Sequence, residues 1–118
     1  MAPAAQRLKR RAEFLQVAAK GRKAAVHGLV LQALPRADDG PARLGFTVTK
    51  KVGNAVIRNR VRRRLREIAC QVIPGQARGD LDYVLVGRQG AIERDFAVMR
   101  QELVEALKRL KALAVATP

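Results

Sequence analysis

The chain has 118 residues, room for one domain and one hydrophobic core, and 48% of them are hydrophobic, enough to fill that core. Lys and Arg number 24 against 10 Asp and Glu, a formal net charge of +14, with one Cys, one His and no Ser. That inventory excludes an internal disulfide, a Ser-His-Asp hydrolase and a multi-histidine metal site, and no run approaches the ~18 apolar residues of a membrane span.

The Ala- and Arg-rich, acid-poor opening has the composition of an organelle transit peptide. However, Phe14, Leu15 and Val17 beside Glu13 and Lys20 predict a helix over residues 11–20, stopped by Gly21. Residues 25–34 read as a strand, His27 within it, with Leu29, Leu31 and Ala33 on one face. Pro35 to Pro41, with Asp38-Asp39-Gly40, has the chemistry of a turn. In the next strand Leu44, Phe46 and Val48 point one way, so Phe46 reads as core. Arg43, Gly45, Thr47 and Thr49 point the other way, and Gly45 keeps that open face flat.

Gly53-Asn54 opens a long helix with Asn54 as N-cap; Ile57, Val61, Leu65, Ile68 and Val72 form its apolar stripe, with Cys70 beside the stripe as a small core residue. Pro74-Gly75 is expected to end it. Leu81 to Val86 is apolar on both faces, as in a strand covered on both sides, with Tyr83 in the core and its hydroxyl at the sheet edge. A last helix is predicted over residues 93–113, with Glu93 and Asp95 at its start and Lys108, Arg109 and Lys111 near its end, which suits the helix dipole. The layout is α+β: a small α/β sandwich with one mixed sheet of about four strands and three helices, in a single domain over residues 1–118.

The charge is segregated. Residues 1–66 hold 17 Lys and Arg against Glu13, Asp38 and Asp39, whereas residues 67–118 hold seven of each sign. Between Arg43 and Arg66 nine residues are basic and none is acidic. Like charges gathered this way oppose folding, so the field serves a polyanion, of which a nucleic-acid backbone is the commonest. At ~100° per residue, Arg62, Arg63 and Arg66, with Asn59 among them, lie opposite the apolar stripe of the long helix. Arg58 and Arg64 flank the stripe, and Arg60 falls between Arg63 and Arg64. Arginine's planar fork binds phosphate bidentately and stacks on bases. A solvated helix face, a nuclear-import signal, and a membrane- or calmodulin-binding helix carry such runs too. The absence of Trp and Phe from the stripe, and the strands' need of it for a core, argue against a membrane.

The order Lys-Lys-Val-Gly-Asn-Ala-Val-x-Arg-Asn-Arg-x-x-Arg-x-x-Arg, from Lys50 to Arg66, resembles the RNR signature of the bacterial ribonuclease P protein subunit. Gly-Phe-Thr-Val-Thr before it resembles the strand leading into that motif. Residues 7–17 and Lys20-Gly21-Arg22 resemble the family's first helix and its exit. The resemblance covers residues 7–70, the remainder matching in layout only. It implies a left-handed strand–helix–strand crossover (a ribosomal protein S5 domain 2-like topology) and an RNA-binding cofactor of a ribonucleoprotein that removes the 5′ leader from precursor tRNA. It also implies that catalysis belongs to an RNA subunit using Mg2+, with no catalytic residue and no metal on the protein. The partners implied are that RNA and precursor tRNA, with neither DNA nor membrane, in the cytoplasm. Carried onto this chain, the RNA-contacting residues are Lys50, Lys51, Asn54, Arg58, Asn59, Arg60, Arg62, Arg63 and Arg66. Arg64 stands where relatives can have an apolar residue. A central cleft for the single-stranded leader would be served by Arg11, Phe14, Lys20, Arg22 and Lys23. Ala18 and Gln32 occupy two positions of that cleft that can carry rings.

A basic structural RNA-binding protein of ribosomal type is the alternative; it has no need of a leader-binding helix around Phe14. A DNA-reading helix would follow a turn and another helix, whereas here a strand precedes it. His27, lacking a second His, reads as structural. The pairs Asp38/Asp39 and Asp80/Asp82 imitate a two-metal nuclease site, but their turn-like settings favour turn chemistry and the offsetting of nearby Arg78.

Overall fold

The alternation across residues 43–47 sorts side chains onto two faces of a sheet, and helices cover both. The computed structural model describes residues 6–36 and 41–112, so Asp38 and Asp39 fall outside the described residues. The elements are β1 (Gln6–Arg7), α1 (Arg11–Lys20), β2 (Arg22–Ala25), β3 (Leu29–Pro35), β4 (Arg43–Thr47), α2 (Ala55–Gln76), β5 (Leu81–Gly87), a 3-10 turn (Gln89–Ala91) and α3 (Phe96–Arg109). The strands form one five-stranded sheet in the order β1-β4-β5-β3-β2. β4 runs parallel to β5, with α2 as the crossover between them, and β3 runs antiparallel to β5.

One face carries the main core. Leu29, Leu31, Leu44, Tyr83 and Leu85 meet Val61, Leu65, Ile68 and Val72 of α2 and Met99, Leu103 and Leu107 of α3. A Cβ added at Gly87 would stand 2.7 Å from Val61 Cγ1, so glycine there lets α2 sit directly on β5. Tyr83 is fully buried and its hydroxyl donates to the Arg78 carbonyl at 2.6 Å; burial raises the phenol pKa. The opposite face carries a smaller cluster of Leu8, Val17 and Val84, with Phe14, Leu34 and Val86 packed on it beneath α1.

Several expectations change. The predicted strand 25–34 is two strands, because Gly28 and exposed His27 make the bend between β2 and β3; His27 is a turn residue, not a strand residue. β1 adds a two-residue parallel edge, secured by the Gln6 and Leu8 amides donating to the Ala42 and Leu44 carbonyls at 2.8 Å. Pro74 lies inside α2 rather than ending it. The carbonyl its ring leaves without a donor is that of Cys70, and Cys70 is exposed. Cys70 is therefore not a core residue: it stands two positions, ~200° of helix, beyond Ile68. α3 begins later than residue 93, with the Asp95 carboxylate accepting from the Ala97 and Val98 amides.

Candidate nucleic-acid interface

α2 supplies a ridge. Its N-terminus is set by Asn54, whose side-chain oxygen accepts from the Ile57 amide at 3.0 Å. Lys50 and Lys51 are exposed in the turn between β4 and that cap. Along the solvent side, Asn59, Arg60, Arg63 and Arg66 are exposed, and Arg58 and Arg62 are half-buried. Asn59 Oδ1 accepts from Arg62 Nη1 at 3.0 Å, one turn further along the helix, and so aims that guanidinium. Among the described residues, every ion pair is made by residues 13–43 or 78–109, and none by residues 44–77. The ridge is therefore left without an acidic partner among the described residues.

Arg64 is the exception within the run. It turns from the ridge toward α3, where its Nε donates to the Ala91 carbonyl at 2.9 Å, its Nη2 donates to the Arg94 carbonyl, and its guanidinium lies 4.3 Å from the Phe96 ring centre. The helical positions placed Arg64 at the stripe's flank; the structure makes it a strut that holds the 3-10 turn and the start of α3.

Beside the ridge, between α1 and the sheet, lies an open cleft of about 610 Å3. α1 contributes Arg11, Phe14, Leu15 and Ala18; the floor includes Gln32, Val84 and Val86; Phe46, Thr47, Val48 and Arg62 close the far side, and Lys9 lies at the α1 side. Arg62 thus belongs to ridge and cleft at once, which makes the two surfaces continuous. α1 is anchored at its start by Glu13, whose carboxylate accepts from the Arg10 amide at 3.1 Å and pairs with Arg43. Arg43 also grips Asp82, its register partner on β5, through Nε at 2.7 Å and Nη2 at 2.6 Å, and Arg36 reaches the same carboxylate at 3.1 Å.

Of the residues expected at the cleft, Arg11 and Phe14 line it, as do Ala18 and Gln32. Lys23 stands on the same face of the sheet, paired in register with Gln32. Arg22 does not join them: strand alternation sends it to the α3 face, where its guanidinium lies 3.5 Å from the Leu110 carbonyl. Lys20 is the last residue of α1 and does not line the cleft. Phe46, expected in the core, is half-buried: it packs on the core, borders the cleft and has Arg66 at 6.0 Å over its ring. Sequence reading missed Thr47, Lys9 and Leu15. The signal for Thr47 existed, since alternation put it on the same open face as Gly45. Asp80 is held by Arg78 at 2.6 Å and Asp82 by Arg36 and Arg43, so these carboxylates are occupied as ion-pair partners. Among the described residues no three His, Cys, Asp or Glu side chains gather to hold a metal ion, and no helix is long and apolar enough to cross a membrane.

Fold and surface together define a small basic α+β protein equipped to bind a polyanion along one helix and an extended segment beside it. The Ribonuclease P family model matches residues 2–111. A ribonuclease P protein component of Paramagnetospirillum magneticum is 53% identical over 119 residues, covering 96% of this chain and 88% of that protein. One from Gluconacetobacter diazotrophicus is 56% identical over 109 residues, covering 92% and 94%. Among solved structures, the Staphylococcus aureus RNase P protein superposes with a TM-score of 0.77 at 29% identity, covering 93% of this chain and 99% of that one. The Thermotoga maritima protein superposes with a TM-score of 0.74 at 29% identity, covering 88% and 96%. The chain belongs to the Ribonuclease P protein family, and its function is that of a protein component of ribonuclease P. The ribosomal alternative falls away with that match.

Proposed function

We propose that this chain acts in the cytoplasm as the RNA-binding cofactor of an RNA catalyst that cuts precursor tRNA at the mature 5′ end. The observation that carries this reading is the continuity, through Arg62, of an unneutralised arginine ridge with a cleft lined by the rings of Phe14 and Phe46. A duplex-rich RNA is a surface of closely spaced phosphates, which Lys50, Lys51, Arg58, Arg60, Arg63 and Arg66 neutralise, while Asn59 fixes Arg62 at the junction. A single-stranded leader needs backbone charge together with a stacking platform. Arg11 and Lys23 supply the first and Phe14 the second. The protein then favours precursor over product, because only the precursor fills the cleft, and it lowers the Mg2+ demand of the RNA by adding fixed positive charge. Cleavage and the metal ions that serve it belong to the RNA, while Asp80 and Asp82 of the protein are held by arginines. Neither DNA nor a membrane is a partner in this reading.

The test is single-turnover cleavage of 5′-labelled precursor tRNA at low magnesium, with a bacterial ribonuclease P RNA and the protein titrated in. Cutting at the mature 5′ end only when both are present is the expected result. Cutting by the protein alone would place a catalytic site on the protein and overturn the reading.

A further inference from the structure

A second hollow shares Phe46 with the cleft and lies between the edge strand β1 and the far half of α2. It measures about 350 Å3, within the size range of small-ligand pockets. Its walls follow from the spacing of their residues. Arg66, Cys70 and Pro74 stand four positions apart and form one row along α2, while Leu44 and Phe46 share one face of β4. Gln6 and Arg7 close the outer side; β1 pairs only with Arg43 and Leu44, which leaves the edge of β4 at Phe46 uncovered. Packing alone does not account for three features. Cysteine is ordinarily among the most buried residues, yet Cys70 is exposed at the rim of this pocket. Phe46 is only half-buried, with the Arg66 guanidinium 6.0 Å from its ring centre. Arg7 and Arg66 are exposed and make no ion pair among the described residues. A larger side chain at position 70 would close the hollow over its apolar wall, and the small thiol leaves it open.

We propose that this pocket is a second nucleotide site, which takes one unstacked nucleotide of the RNA subunit. RNA is recognised most readily at loops and bulges, where a base turned out of its stack settles on an aromatic ring or a guanidinium plane. Phe46 supplies the ring, Arg66 the plane, and Leu44 and Pro74 the apolar walls. Arg7 and Arg66 stand ready for the phosphates on either side of that base. A nucleotide carries an anion and a flat ring in one unit, the complement of unpaired arginines beside an apolar slot. Continuity with the ridge selects the RNA subunit over the leader. Arg62 opens the ridge onto the cleft, whereas Arg66, one turn further along α2, opens it onto this pocket. An RNA lying along the ridge thus reaches the pocket without a break. The inference rests on the ridge being the seat of the RNA subunit, and its test separates the two.

The full-length protein is bound to a bacterial ribonuclease P RNA, without tRNA, and the RNA is probed with dimethyl sulfate and a carbodiimide, which together report unpaired bases of all four kinds. The expected result is one unpaired nucleotide that loses its reactivity when the wild-type protein binds. Cys70→Phe plugs the pocket; that nucleotide regains its reactivity and affinity for the RNA falls roughly five-fold or more, the loss of one stacked base. Gln71→Phe places the same ring one residue on, at an exposed position outside the pocket, and is expected to change neither. Unfolding midpoints are measured alongside and are expected to hold, since position 70 is exposed. If Cys70→Phe does not fold, the native thiol of the folded protein, the only one in the chain, is alkylated with N-phenylmaleimide and gives the same loss. A plugged protein that keeps both the protection and the affinity overturns the pocket and leaves the ridge standing, as does an equal loss for Gln71→Phe. A loss seen only with precursor tRNA, with affinity for the RNA subunit intact, gives the pocket to the leader and overturns the inference. A wild-type protein that does not bind the RNA overturns the functional reading and this inference with it.

Discussion

The ring of Phe14 lies against the backbone of Gly45: a Cβ at that glycine would stand 2.4 Å from Phe14 Cε1 and 2.6 Å from Cζ. The one ring on α1 therefore has a seat on β4 that only glycine provides, and α1 and the sheet share the burden of orienting it. Gly45→Ala is expected to fold with a loss of about 1 kcal/mol, since the ring's far end can swing aside. Its leader-dependent affinity should fall toward that of Phe14→Ala, for which the loss of one stacked base predicts about 1–3 kcal/mol. Titration of precursor tRNA and leaderless tRNA against each variant holoenzyme checks this; a Gly45→Ala protein with full leader discrimination would separate ring orientation from binding.

Within α2, neighbouring arginines are expected to behave oppositely. Arg60 and Arg63 make no ion pair among the described residues, so replacing either with Ala should barely move the unfolding midpoint. It should reduce the slope of log affinity against log salt by about 0.7–0.9 for each phosphate that is no longer neutralised. Arg64→Ala removes the bonds to the Ala91 and Arg94 carbonyls and the face of Phe96. It should cost about 1–3 kcal/mol of stability and leave the salt slope unchanged. Denaturant unfolding and salt-dependent RNA binding on the same three proteins decide the assignment.

Asp82 is 5% exposed and sits between Arg36 and Arg43, the latter also paired with Glu13. Removing one partner of such a buried set is more damaging than never having built it, because the remaining charge stays in a poorly solvated place. Asp82→Ala is expected to lose about 3–5 kcal/mol in denaturant unfolding. Arg43 also reaches Glu13 near the start of α1, so this variant should loosen the first helix before the main core. Faster amide exchange in residues 11–20 than in α3 would display that order.

The parts of this architecture that the sequence announced were those with a repeated local signal. α2 carried five apolar residues at helical spacing behind an Asn cap, and β4 alternated cleanly enough to place Arg43, Gly45 and Thr47 on one face. β1 gave no signal because two residues have no periodicity; its pairing with β4 is decided by tertiary hydrogen bonds from Gln6 and Leu8. The β2–β3 bend was hidden inside an apolar run, with Gly28 as its only mark. Pro74 misled because a proline near a helix end is tolerated when the carbonyl it orphans belongs to an exposed residue. In the interface, the type of chemistry was legible from charge alone. The turns of Arg64 toward α3 and of Arg22 to the Leu110 carbonyl were not, since each depends on what a different element places opposite it.

Glu13 should give the stability a pH dependence of defined sign. The Arg10 amide first, then the Lys9 amide and Arg43, hold its carboxyl below the ordinary value of 4.5. A carboxylate with a depressed pKa in the folded state stabilises fully above its unfolded value, and loses that contribution as pH falls through the folded one. The midpoint of the wild type should therefore decline as pH is lowered below about 4.5. Asp80, held low by its hydrogen bond to Arg78, adds in the same direction. Glu13→Gln should be less stable than wild type at neutral pH and approach it in acid. A gap between the two proteins that stays constant from neutral pH into acid would show that the charge of Glu13 contributes nothing.

The unneutralised ridge predicts that small multivalent anions stabilise the free protein. Any ligand that binds the folded state and not the unfolded one adds RT ln(1 + [L]/Kd), about 1.4 kcal/mol at ten times the dissociation constant. For a chain of this size that is a rise of roughly 4–6 °C in unfolding midpoint. Sulfate at the same ionic strength as chloride should produce it. Sulfate also strengthens burial generally, by exclusion from protein surfaces. The comparison that isolates the ridge is therefore a protein carrying Arg58→Ala, Arg60→Ala and Arg63→Ala together. General exclusion leaves its sulfate increment intact, whereas specific binding at the ridge removes most of it. Since these three side chains make no ion pair among the described residues, the triple variant should match the wild type in chloride or exceed it through relief of like-charge repulsion. An equal sulfate increment in both proteins would mean that the ridge holds no anion on its own, and that only the closely spaced phosphates of an RNA engage it.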